Sequence, residues 1–189
     1  ALSNYLSEQA AFDLTVDSSG VKAGEALRRF FPLASPQDPG TVRGRVHYRG
    51  PLADAEGRSL SGSVELIGAQ LPLQSFRQPL REVRGKIAFD DNGFELQGIR
   101  AQLAGYGFDF SGRWRYLEKP QLTFSLNAPE MDIAYLLPQE GGRGSGWYDR
   151  LQARGRINIG KGRFEGFEFS DLDTGLALDK SGGALPQIA

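Results

Sequence analysis

The sequence predicts a mainly β fold: a curved antiparallel sheet of repeated strand units, with two short helices. Three observations carry this. Within Val83–Tyr116, Tyr106, Phe108, Phe110, Gly112, Trp114 and Tyr116 take even positions, with Gly107, Asp109, Ser111, Arg113 and Arg115 between them. A period of two places the aromatics on one face of a strand and the polar residues on the other. A Gly-x-apolar unit recurs, at Gly44 and Val46, Gly62 and Val64, Gly85 and Ile87, Gly112 and Trp114, and Gly155 and Ile157. About ten stretches alternate in this way, against two with helical spacing.

Each element follows in order. Phe12–Asp17 alternates and is broken at Ser18-Ser19-Gly20. Val21–Phe31 has Ala23, Ala26, Leu27 and Phe30 at helical spacing and stops at Pro32, so it reads as the first helix. Leu33–Gly40 is a loop. In Thr41–Gly50, Val42, Gly44, Val46 and Tyr48 share one face, while Arg43, Arg45, His47 and Arg49 share the other. Leu60–Ile67 is a strand with Val64 and Leu66 on the apolar face. Gly68–Leu80 reads as irregular or as an extended edge, because Pro72 and Pro79 interrupt a ladder.

Ile87 and Phe89, the turn Asp91-Asn92-Gly93, and Phe94 and Leu96 form a hairpin. The aromatic strand follows, and Leu117–Pro120 turns the chain. Leu122, Phe124 and Leu126 then alternate with Thr123, Ser125 and Asn127. Ala128–Pro138 reads as the second helix, with Pro129 near its start, Glu130 and Asp132 in the first turn and Pro138 past its end. Gln139–Gly146 is a linker by composition. Three short strands close the chain: around Ile157 and Ile159, around Phe164–Phe169, and around Leu176–Leu178.

Composition narrows the function classes. With 189 residues the chain has material for a sizeable core. A formal net charge of -1 argues against nucleic acid, whose phosphates call for a basic excess. The arginines at 77, 81 and 84 and at 150, 154 and 156 read as solvated strand faces. The absence of cysteine excludes disulfides and thiolate metal sites, and a single histidine, His47, excludes a histidine-rich metal centre. No apolar run is long enough for a membrane-spanning helix. The chain opens on Ala1 and reads as a segment of something longer, or as a mature form.

Catalytic constellations are equally scarce. Gly141–Gly146 lacks the Lys-Ser/Thr of a phosphate loop. Asp90-Asp91-Asn92-Gly93 lacks the spacing of a calcium loop and reads as a turn. Glu165 and Glu168 read as solvated strand residues rather than a glycosidase pair. His47 stands on a basic strand face with no carboxylate or nucleophile in its own stretch. The expectation is a protein that is not an enzyme, with no cofactor and no metal.

The chain also shows weak internal similarity. A strand, a short helix ending in proline and a Gly-x-apolar strand recur, dividing the single β-rich segment 1–189 into units at about 12–121 and 122–189, the second truncated. Each glycine of the finer repeat lies on the apolar face, marking either close approach or the start of a strand.

The run from Val83 to Tyr116, then LTFSLNAPEMDIAYLLP, then ARGRINIGKGRFEGFEFSDLDTGLALD resembles the AsmA-like family of bacterial envelope proteins, with its TamB and YhdP relatives. The resemblance extends from about Gly40 onward as a pattern of glycine, alternation and spacing. It implies a β-groove or half-barrel resembling those of bridge-like lipid-transfer proteins. It further implies a periplasmic segment of an inner-membrane-anchored parent, and a phospholipid or other acyl-chain ligand conducted between inner and outer membrane in support of outer-membrane integrity. The face it maps comprises Val46, Tyr48, Val64, Leu66, Ile87, Phe89, Phe94 and Leu96, then Tyr106, Phe108, Phe110, Trp114, Leu122, Phe124, Leu126, Ile157 and Ile159. The alternative is an open or self-packed β-sandwich without ligand, serving structure or envelope-protein partners through its edges.

Overall fold

A computed structural model describes residues 2–3, 10–22, 40–51, 57–72, 76–116, 119–137 and 152–178. These form one ten-stranded sheet whose strands lie side by side in chain order. The strands are β1 (Leu2–Ser3), β2 (Ala11–Lys22), β3 (Thr41–Pro51), β4 (Ser59–Leu71), β5 (Leu80–Asp90), β6 (Gly93–Leu103), β7 (Tyr106–Arg115), β8 (Gln121–Asp132), β9 (Gln152–Phe164) and β10 (Phe167–Leu178). All but the stub β1 are long. The sheet is open and curved, not closed into a barrel.

Short turns make the neighbours. Between β5 and β6, Asp90 accepts the Asn92 N–H at 2.8 Å, and Asp91 accepts the Leu60 N–H at 2.8 Å, tying that turn to β4. Ala104 and Gly105, with φ of 53° and 91°, give β6 and β7 the paired positive dihedrals of a tight hairpin.

Three expectations need correcting. The sheet is mixed: β8 and β9 run parallel, from Gln121 beside Gln152 to Asp132 beside Arg163. Alternation reports the face a side chain takes, not the direction of its neighbour. The strand pairs aligned by the internal repeat therefore differ, β2–β3 being antiparallel and β8–β9 parallel.

The helix expected over Ala128–Pro138 is the end of β8 followed by a 3-10 turn, Ile133–Tyr135. Ala128 and Met131 are buried while Pro129 and Glu130 between them are exposed, so the faces of the strand swap there and mimic helical spacing. Asp132 accepts the Ala134 N–H at 3.0 Å and so caps the 3-10 turn. No α-helix occurs among the described residues. Of the other expected helix, Val21 and Lys22 belong to β2, and residues 23–31 lie outside the described residues, as does the linker 139–146.

The third correction concerns boundaries. Gly68–Leu80 is not irregular throughout, since β4 continues to Leu71 and β5 begins at Leu80. The last three expected strands are two long ones, with Glu165-Gly166 the turn between them.

Two lines of irregularity cross the sheet. Register shifts follow Leu66 in β4, Arg81 in β5 and Leu96 in β6, with Gly68 and Gly98 at φ of 62° and 56°. Farther along, Pro129, Gly160 and Asp171 stand level on β8, β9 and β10, between register pairs that flank all three. An extra residue in a strand bends it and increases its twist. The first line, where extra residues shift the register, thus accounts for part of the curl.

Apolar residues gather in two clusters. One holds Val42, Leu66, Ala69, Leu71, Val83, Ile87, Ile99 and Ala101, from β3 to β6. The other holds Leu126, Ala128, Met131 and Ile159, from β8 and β9.

Candidate functional site

The register assembles the expected apolar residues on one face. Val46 lies beside Gly62, Tyr48 beside Leu60, Val64 beside Ile87 and Leu66 beside Gly85. Phe89 pairs with Phe94, and Ile87 with Leu96. Trp114 lies between Phe94 and Leu122, and Phe110 between Ile99 and Leu126. Phe108 is beside Ala101 and Tyr106 beside Leu103, while Phe124 neighbours Gly155 and Leu126 neighbours Ile157. Ile159 lies between Ala128 and Leu172. Laterally paired residues share a face, so these side chains form one continuous apolar face of the curved sheet.

Aromatic stacking orders that surface. Phe94 and Trp114 stack at 5.9 Å between centroids, with planes 4° apart. Phe110 and Phe124 stack at 5.9 Å and 16°. Such pairs add about 1 kcal/mol each beyond burial.

The recurring glycines mark close approach. A Cβ on Gly155 would lie 2.5 Å from the Phe124 ring. On Gly85 it would lie 2.7 Å from Ile99 Cδ1, and on Gly112 3.1 Å from Phe110. Real Cβ atoms essentially never come as close as at Gly155 and Gly85, where side chains fill the space above the glycine. At Gly44 and Gly62 the nearest atoms are backbone, the carbonyl oxygens of Ser63 and Arg45.

Several face residues escape the sequence reading. Val83, Leu103, Met131 and Ala153 are at most 1% exposed. The alanines and glycines carry little hydrophobic signal, and Met131 follows the swap of faces at Pro129. Leu14 and Val16 extend the apolar face onto β2, beside Tyr48 and Val46, and are 51% and 49% exposed.

The opposite face is built from ion pairs. Arg43 donates to Glu65 at 2.7 Å, Arg45 to Asp17 at 2.7 Å, Arg113 to Glu95 at 2.8 Å and Arg100 to Asp109 at 3.0 Å. Arg156 is paired with Asp173. Hydrogen bonds from these partners hold the carboxyls of Glu65, Glu95 and Asp173 below their ordinary range. The solvated reading holds for Arg81 and Arg84 on β5 and for Arg154 and Arg156 on β9, all exposed, while Arg150 lies outside the described residues.

His47 gains the carboxylate its own stretch lacks: Nε2 lies 2.7 Å from Asp13 Oδ1, and the Asp13 pKa falls because of that hydrogen bond. Ser61 is its register neighbour. Among the described residues, no hydrogen bond joins that hydroxyl to the ring, which the nucleophile–base contact of a triad would supply. The arrangement ties β2 to β3.

Among the described residues, no cluster of three acidic, histidine or cysteine side chains is placed to hold a metal, and no helix is long and apolar enough to cross a membrane. No family model, curated protein or solved structure matches the chain.

Proposed function

We propose that the apolar face lines a trough and binds the acyl chains of phospholipids, or a similar apolar ligand, by shape and hydrophobicity and without catalysis. One observation carries the reading: a continuous aromatic and aliphatic face on an open sheet, half-buried at Phe94, Trp114, Leu122 and Phe124. Covering a side chain of this size contributes about 2 kcal/mol. A ligand laid along several of them gains enough to offset its own ordering.

The resemblance supplies the setting. The segment belongs to an inner-membrane-anchored parent, faces the periplasm and passes lipid towards the outer membrane. Its envelope-protein partners engage the parent. The rival reading, a structural or protein-interaction module without ligand, draws support from the two packed clusters, which fill part of the face with protein.

Mass spectrometry of organic extracts from the purified chain separates the two. The lipid reading expects co-purified acyl lipid. An extract free of lipid, from protein that also takes up none from vesicles of phosphatidylethanolamine and phosphatidylglycerol, overturns it in favour of the structural module.

A further inference from the structure

The strand order conceals a seam. The ladder between β7 and β8 runs from Arg115 beside Gln121 to Asp109 beside Asn127 and stops there. Beyond it both strands continue, but with other partners. Tyr106, Gly107 and Phe108 stay paired with β6, while β8 stays paired with β9 as far as Asp132. The two strands part like a fork.

The sequence explains the fork. Continuing the register would set Pro129 opposite Gly107. Proline has no N–H to offer a ladder, and β8 swaps its faces at that point, with Pro129 and Glu130 both exposed. Pro129 also stands level with Gly160 and with Asp171, the latter at a φ of 55°. A shallow hollow lies at the fork, lined by Gly107 and Phe108 from one prong and Pro129 and Glu130 from the other.

The buried cores divide at the same strand, with Tyr106 of β7 packed on the β8–β9 side. The β3–β6 cluster and the β8–β9 cluster share no buried residue. Phe108 and Phe110 are the residues packed against both. Both belong to β7, and both are only partly buried.

We infer that the β7–β8 seam is a hinge between two half-sheets. The intact ladder from Asp109 to Arg115 is its axis, Phe108 and Phe110 are its packing, and the swing of β8–β10 sets the width of the trough. That an acyl chain exploits this width rests on the proposed function; the hinge itself rests on the ladder and the two cores.

The chain has no cysteine, so pairs of spin labels can be placed cleanly on the exposed residues of the outer face. Gln102 on β6 and Lys161 on β9 straddle the seam. Gln102 and Thr41 on β3 lie on one side of it, also three strands apart, about 14 Å along a sheet before the label arms are added. The hinge predicts a distance distribution across the seam at least about twice as wide as the control. Phe108→Ala, or Phe110→Ala should the first variant fail to fold, should widen only the crossing pair. Adding oleate should shift only the crossing mean.

Equal widths in the wild-type protein overturn the hinge, as does equal widening of both pairs in the folded variants. Oleate that binds without moving the crossing pair overturns its control of the trough. If the width difference and the variant effect hold while oleate fails to bind, the hinge stands and the acyl-chain reading falls.

Discussion

The two ends of the apolar face share one alternating pattern but differ in what their side chains meet. Towards the Ala104-Gly105 turn, Leu71, Val83, Leu103 and Met131 are 5%, 1%, 0% and 1% exposed. Towards the Asp91-Asn92 turn, Phe94, Trp114 and Leu122 are half-buried, with Phe89 alone among these aromatics below a tenth exposed. The first end contains the bulges and the small residues Ala69, Ala101 and Ala128. The second alternates regularly and is aromatic. Bends and small side chains let strands curl until their own residues fill the space, whereas unbroken alternation of large rings leaves a surface. The packed end therefore holds most of the deeply buried apolar surface, and the aromatic end keeps its rings half-exposed.

Substitutions test that division, and the largest effect belongs to the packed end. Leu103→Ala should destabilise by about 3 kcal/mol, since a fully buried leucine leaves a cavity its neighbours refill only in part. Chemical denaturation measures it. A loss below about 1 kcal/mol would mean that this end is not the core.

Gly155→Val, at a glycine covered by Phe124, should destabilise by about 2 kcal/mol through displacement of the ring. It should also disturb the Phe110–Phe124 stack, visible as a change in near-ultraviolet circular dichroism. An unchanged spectrum and midpoint would return these glycines to a role in starting strands.

At the aromatic end, Trp114→Ala should cost about 2 kcal/mol, the lost stack on Phe94 plus the half of the ring already buried, while lowering uptake of apolar ligand by more than half. A stability loss as large as that of Leu103→Ala would erase the distinction between the ends.

The smallest effect comes from the outer face. Asp13, Glu65, Glu95 and Asp173 have depressed folded-state pKa values. Their contribution is present above the unfolded carboxylate range, near pH 4, and is lost as pH falls through the lower folded values. Denaturation midpoints should decline gently from pH 5 to pH 3, and less so in high salt, because these pairs are exposed. A flat profile would show that the outer pairs contribute nothing measurable.

Much of this was legible in the sequence, and the limits have physical causes. The alternation around Phe108 and Trp114 names the apolar face because side-chain period and strand geometry are locally coupled. The glycines mark the same face, but only the register shows Phe124 lying over Gly155. The stretch after Asn127 misleads: Pro129, Glu130 and Asp132 are good first-turn helix residues, yet pairing with β9 holds them in a strand. Parallel pairing of β8 and β9 is a tertiary outcome that no local period encodes. Asp13 and His47 meet only because β2 and β3 pair, so a stretch-by-stretch search for a histidine partner passes them by.

An acyl chain lying against the aromatic end, as proposed, would be reported by Trp114. In a Trp147→Phe background Trp114 is the sole tryptophan. Adding phosphatidylglycerol with acyl chains brominated midway should quench its fluorescence by more than half, and unbrominated lipid should leave it bright. Unquenched emission at saturating brominated lipid, from folded protein in which acrylamide still reaches Trp114, would mean that no acyl chain lies there.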